Sequence, residues 1–180
     1  NLSFEELAAQ AVPAEFLFGV GALPAGWLGD RWSKTRLLEI YFYGTGAFTI
    51  ITGFAETPMT LAFGLAWIGL FGSIYHLVGM SWLVSRTSKT GAVRGCNGLF
   101  GSLGFVLAPL VAGSLTGVSS WRFAFILPGI VWLFIGILFS IALRTFLDEA
   151  QKPIQKATYE SSSPKNIWMT FVLMGLALFL

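Results

Sequence analysis

Apolar residues run along this chain in long blocks, and polar residues collect in the short gaps between them. The blocks occupy Ala14–Gly29, Leu37–Ala55, Leu61–Val84, Gly95–Val118 and Phe123–Leu143; another opens at Ile167 and continues to Leu180. An α-helix rises about 1.5 Å per residue, so about 20 residues cross a hydrocarbon layer of about 30 Å. Each complete block except the first is close to that length. Gly95–Val118 holds no charge, and Leu61–Val84 holds only His76. Such blocks are too long for buried strands and lack the alternation of an outer-membrane barrel. An open sheet would leave its edge groups unsatisfied in lipid, so the pattern predicts an all-α, polytopic transmembrane bundle. The first block is the weakest: it is short, carries Glu15, and its helix can begin ahead of Pro13.

The gaps sort by charge. Arg31–Arg36, Arg86–Arg94 and Arg144–Lys165 hold ten of the eleven Lys and Arg, and with five spans they fall at one membrane face. The other face has residues 1–13 and the turns at Glu56–Pro58 and Thr116–Arg122, with Arg122 its lone cation. The positive-inside rule makes the basic face cytoplasmic, in a multi-pass protein of the cell (inner) membrane. The stretch DEAQKPIQKATYESSSPKN, Asp148–Asn166, reads as a linker by its Pro, Ser and mixed charge. This divides the chain into a transmembrane unit over 1–147, a cytoplasmic loop over 148–166 and the start of a second unit over 167–180. A first residue other than Met and a last residue inside an apolar run lead us to expect a piece of a longer protein.

Composition narrows the function. Charged residues are 11% and hydrophobic residues 55%, whereas an ordinary soluble domain carries about 25% charged residues. A soluble enzyme, a disordered chain and a nucleic-acid binder are disfavoured. Cys96 is the single cysteine and His76 the single histidine, so neither a disulfide nor a paired-ligand metal site is expected. No nucleophile elbow or phosphate-binding loop occurs, and neither an enzyme nor a cofactor is read here.

After the first span comes GWLGDRWSKTR, from Gly26 to Arg36. The set Gly26, Asp30, Arg31, Lys34 and Arg36 resembles the loop between the second and third helices of the major facilitator superfamily of secondary transporters. Ser33 stands where a Gly is usual, and Thr35 interrupts the basic pair. GLFGSIYHLVGMSW (Gly69–Trp82), GSLGFVLAPLVAG (Gly101–Gly113) and WRFAFILPG (Trp121–Gly129) resemble that family's fourth helix, fifth helix and the turn into its sixth. Leu77 replaces a usual Pro in the first of these. The resemblance implies an N-terminal half, incomplete, running from the second helix to the start of the seventh in a twelve-helix carrier. It also implies transport of a small solute by alternating access, commonly driven by a proton gradient, with Asp30 as part of an inner gate. The other reading is a non-transporting membrane scaffold or subunit.

The residues themselves pose several alternatives. Asp30 sits where a helix macrodipole disfavours a carboxylate, so it calls for a cation, and Arg31, Lys34 and Arg36 are near in sequence. Otherwise it is a solvated loop residue. His76 is either a proton or substrate site, because an ionisable group at depth is a functional candidate, or a neutral histidine bonded to a neighbouring helix. On an α-helix its face would be shared with Gly72, Ser73, Gly79 and Met80. Tyr75 either serves a cavity or packs between helices. Tyr41, Thr45, Thr49, Thr52 and Glu56 form a stripe expected to face another helix, with hydroxyls bonding back to their own backbone. Gly104, Ala108, Pro109 and Gly113 are read as a close-packing stripe with some bending; the family's exporters imply a hinge there. Arg94 would pair with Asp30 or anchor to lipid phosphates, and Arg122 would cap the helix that follows it.

Overall fold

The computed structural model describes residues 3–85 and 89–150. All regular structure among them is helical. α1 covers Phe4–Arg31, α2 Lys34–Gly53 and α3 Pro58–Ile74. A π-helical turn over Tyr75–Gly79 leads α3 directly into α4, Met80–Ser85, so the two make one traverse. α5 covers Thr90–Val118 and α6 Phe123–Ala150. Most of the expected linker and the apolar run from Ile167 lie outside the described residues; α6 itself runs through Asp148 to Ala150.

The five traverses alternate in direction, and side chains fasten both ends. At the basic end Lys34 Nζ of α2 donates to Ser81 Oγ of α4 at 2.6 Å. At the other end Arg122 Nη1 donates to the carbonyls of Gly53 at 3.1 Å and Ala55 at 2.7 Å. Arg122 therefore caps the C-terminus of α2, where free carbonyls and the macrodipole favour a cation, rather than the helix that follows it. Its guanidinium also lies over the Trp121 ring at 4.8 Å. Replacement Arg122→Gln is expected to cost about 2 kcal/mol, the scale of a lost charge-assisted hydrogen-bond pair. A lower thermal-unfolding midpoint checks this, and an unchanged midpoint counts against the cap.

Local chemistry sets the helix starts. Ser3 Oγ accepts from the Glu6 amide, and Glu6 Oε2 accepts from the Ser3 amide at 2.7 Å, a reciprocal cap. That cap starts α1 at Phe4, well ahead of the expected Ala14, and the helix continues through Pro13 and Pro24. Thr57 caps α3 in the same way with Thr60, and Pro58 takes the first helical position, where no backbone donor is needed.

Among the described residues four traverses are long and apolar enough to cross a bilayer: Glu5–Arg31, Pro58–Ser85, Thr90–Val118 and Phe123–Thr145. α2, expected as a span over Leu37–Ala55, is present as a helix but is more polar. It carries Lys34, Arg36 and Glu39 near its start and Thr45, Thr49 and Thr52 further on. Its position explains this. α2 lies between α3 and α6, and Leu37, Leu38, Tyr41 and Phe42 are buried there. A helix shielded by its neighbours need not be greasy on every face.

Glycines bring these helices together. In lipid there is little hydrophobic drive between helices, so close van der Waals contact through small residues does the work. Gly46 and Gly53 of α2, and Gly129 and Gly136 of α6, each repeat at seven residues along one seam. A Cβ at Gly129 would stand 2.9 Å from the carbonyl oxygen of Gly46, and one at Gly46 would stand 3.1 Å from that of Gly129. A Cβ at Gly136 would stand 2.9 Å from Cβ of Phe42. α1 meets α3 likewise: Gly69 lies against the Ala14 backbone, and a Cβ at Gly21 would stand 2.7 Å from Ser73 Oγ. Among the described residues α5 is held more loosely, mainly through α4 and α6 and one hydrogen bond to the π turn.

Candidate functional site

The π turn is the centre of interest, because such turns recur at functional positions and shift helix faces. It places Tyr75 and His76 on different surfaces. Tyr75 is buried, stacked on Tyr41 of α2 at 5.2 Å between ring centroids. Its hydroxyl donates to Asn97 Oδ1 of α5 at 2.5 Å. Tyr41 in turn meets Trp132 of α6 edge-on at 5.2 Å. Four traverses therefore converge on one aromatic and polar cluster. Gly79 makes room for it: a Cβ there would stand 2.6 Å from the Tyr75 ring. With the α register interrupted, Gly79 belongs to the Tyr75 side and not, as expected, to the His76 face. Asn97 was missed, although an Asn inside an uncharged span is a visible signal; its partner across 22 positions of chain was not visible.

His76 is exposed, with the Phe18 ring of α1 edge-on at 5.7 Å. Among the described residues no hydrogen-bond partner holds it. It lies nine residues before the end of α4 at Ser85, so about 14 Å inward from the basic end.

The loop residues do not gather as one ion-pair cluster. Asp30 is exposed in the last turn of α1 and makes no ion pair among the described residues. The Arg31 guanidinium lies over Trp27 at 4.2 Å. Lys34 reaches Ser81, while Arg36 lies further round in a groove with Arg144. Arg94 is exposed on α5. Gly26 faces Leu77 at ordinary packing distance, a Cβ there standing 3.4 Å from Leu77 Cδ1.

Of the stripe, Thr49 and Thr52 bond back to their own helix, whereas the buried Thr45 Oγ1 has no hydrogen-bond partner among the described residues and Glu56 is exposed rather than facing a helix. Thr49 Oγ1 donates to the Thr45 carbonyl at 2.7 Å and Thr52 Oγ1 to that of Phe48 at 2.6 Å. The α5 stripe does not form the expected packing seam among the described residues. Gly104 is buried, but Ala108 and Pro109 are exposed, and nothing stands within 4 Å of a Cβ at Gly113. The helix continues through Pro109 to Val118.

A bundle of antiparallel apolar helices with glycine seams and a polar cluster at a π turn is the architecture of an integral-membrane helical half. The family model for the Major Facilitator Superfamily matches residues 3–180, and the chain belongs to that family. It is 27% identical over 159 residues to a Drosophila ananassae protein named "Putative inorganic phosphate cotransporter"; the match covers 79% of this chain and 33% of that protein. The chain thus spans about a third of the length of that curated relative. No solved structure matches it significantly.

Proposed function

We propose that the protein to which this chain belongs carries a small solute across the membrane by alternating access, driven by protons, with the basic end in the cytoplasm of a cell whose inner membrane holds it. Family membership supports carriage, and one observation supports the finer reading. His76 is an ionisable side chain within the hydrophobic span, exposed and without a hydrogen-bond partner among the described residues. Lipid is a poor neighbour for such a group; ionisable residues within spans face a bundle interior or water. The surface bearing His76 and Phe18 is accordingly the wall of the solute pathway, and His76, whose imidazole can bind and release a proton, is the proton carrier.

Asp30 is the cytoplasmic latch of this reading, exposed at the basic end and ready for a partner formed when that side closes. Gly26 lets α1 approach the neighbouring traverse at the same level. Lys34, through Ser81, fixes the loop in position, with Arg31 and Arg36 as its further cations, and Tyr75 with Asn97 ties α5 to the wall. Inorganic phosphate, the solute in the relative's name, is the first substrate to try.

The test is uptake by the full-length protein in liposomes under an imposed pH gradient. Accumulation that collapses with a protonophore is expected; gradient-independent equilibration would remove proton coupling, and no flux would remove carriage. Asp30→Asn is expected to lower initial uptake about tenfold, as loss of one charge-assisted contact of about 1.5 kcal/mol implies, with unchanged expression. Normal uptake by that variant would remove the latch.

A further inference from the structure

A groove of about 590 Å³ opens between α2, α3 and α6 at the basic end. Its mouth carries Arg36, in the first turn of α2, and Arg144, near the end of the apolar stretch of α6. Both are exposed, and neither makes an ion pair among the described residues, although Glu39 lines the same groove. Among the described side chains that line the groove, two cations stand against one carboxylate.

Further in, the lining is mostly apolar, with the Tyr43 and Ser140 hydroxyls its polar atoms. Gly44 lies eight residues beyond Arg36, about 12 Å along the helix, and Phe71 of α3 rests its ring against it. Ile40 is 40% exposed on this wall. Tyr43 and Ser140 cross the groove with hydroxyls 3.0 Å apart. The missing Cβ at Gly44 is what admits Phe71 and shapes the floor. The groove therefore has cations at the level of the membrane interface and an apolar channel running from them toward the bilayer centre.

We infer that this groove is a binding site for an anionic phospholipid of the leaflet at the basic end. Arginine forks match phosphate oxygens in a fixed geometry. Basic pockets between membrane helices take anionic headgroups. The glycerol and upper acyl chain fit the channel lined by Ile40, Gly44 and Phe71. The groove is larger than a free anion needs, and a free anion would gain nothing from the apolar floor.

The experiment is native mass spectrometry of the full-length protein after incubation with equal amounts of phosphatidylglycerol and phosphatidylcholine of matched chains. Phosphatidylglycerol is expected to be enriched about fivefold, the factor for one net charge near an anionic leaflet. Arg36→Gln with Arg144→Gln should bring the ratio to about one, while Arg94→Gln, a cation at the same end but outside the groove, should leave it unchanged. Gly44→Leu, which fills the floor and keeps both arginines, should lower phosphatidylglycerol occupancy. No enrichment in the natural protein, enrichment that survives the double replacement, or equal loss in Arg94→Gln would overturn the assignment. Displacement of the lipid by equimolar inorganic phosphate would overturn it too, by making the groove a site for the free anion. If the double variant aggregates, Arg144→Gln alone carries the test, with a ratio between the two values expected and an unchanged ratio counting against the site.

Discussion

Replacing Gly129 with leucine is expected to break the bundle at the close crossing of α2 and α6. A Cβ at this position stands 2.9 Å from the Gly46 carbonyl oxygen and 2.9 Å from the Ile50 amide nitrogen. Both obstacles are backbone, so no rotamer change relieves them, and α6 must move away from α2. That separation opens the contacts of Phe42 with Trp132 and Phe139, whose ring centroids lie at 5.7 and 5.1 Å. Overpacking of a close-fitted interior costs about 3 kcal/mol, and more when backbone must give. The expected result is a protein that misassembles or melts well below the natural one in detergent. Gly91→Ala is the control, since nothing stands within 4 Å of a Cβ there and the site is exposed. It should melt like the natural protein. A Gly129→Leu variant of natural stability would show that the α2–α6 seam is not as close as described.

Replacing His76 with glutamine is expected to abolish concentrative uptake and spare exchange. Glutamine keeps polarity and size but has no group that binds and releases a proton. With one proton coupled per solute, a gradient of one pH unit sustains at most about tenfold accumulation, since each unit is worth about 1.4 kcal/mol. The variant should stop at the external concentration, while exchange of labelled for unlabelled solute continues because the pathway is intact. Concentrative uptake at the natural level would remove His76 from proton transfer. Loss of both activities together with loss of folded protein would assign the residue to packing.

Most of the architecture was legible in the sequence, because the length and apolarity of a membrane helix are local properties. The later blocks each fall on a helix, but the helices outrun them: α5 starts at Thr90 rather than Gly95, and α6 continues past Leu143 to Ala150. α1 was legible only in part: its start depends on the reciprocal Ser3–Glu6 cap, which lies in a polar stretch easily taken for a loop. Which glycines matter was not legible. The stripe in α5 has the familiar small-residue spacing, yet Gly113 meets nothing among the described residues, whereas Gly46 and Gly129 carry a seam. Spacing shows that a close approach is possible; only the fold shows which helix makes it. The same holds at the π turn. Sequence singled out Tyr75 and His76 but could not show that one turns inward to Asn97 and the other outward beside Phe18. A π turn leaves no mark in composition, and it separates faces that an ideal helix would join. Arg122 shows a third limit: its carbonyl partners lie 67 and 69 positions away.

The central claim is that five traverses alternate through the bilayer and bring the cations of Arg31–Arg36, Lys89–Arg94 and Arg144 to one face. Labelling by a membrane-impermeant maleimide tests it most directly, with single cysteines at Glu56→Cys and Ser33→Cys in a Cys96→Ser background of the full-length protein. In intact cells Glu56→Cys should react at once and Ser33→Cys only after permeabilisation. Reaction of both from the same side would contradict the alternation, and with it the pathway wall, the latch and the lipid groove.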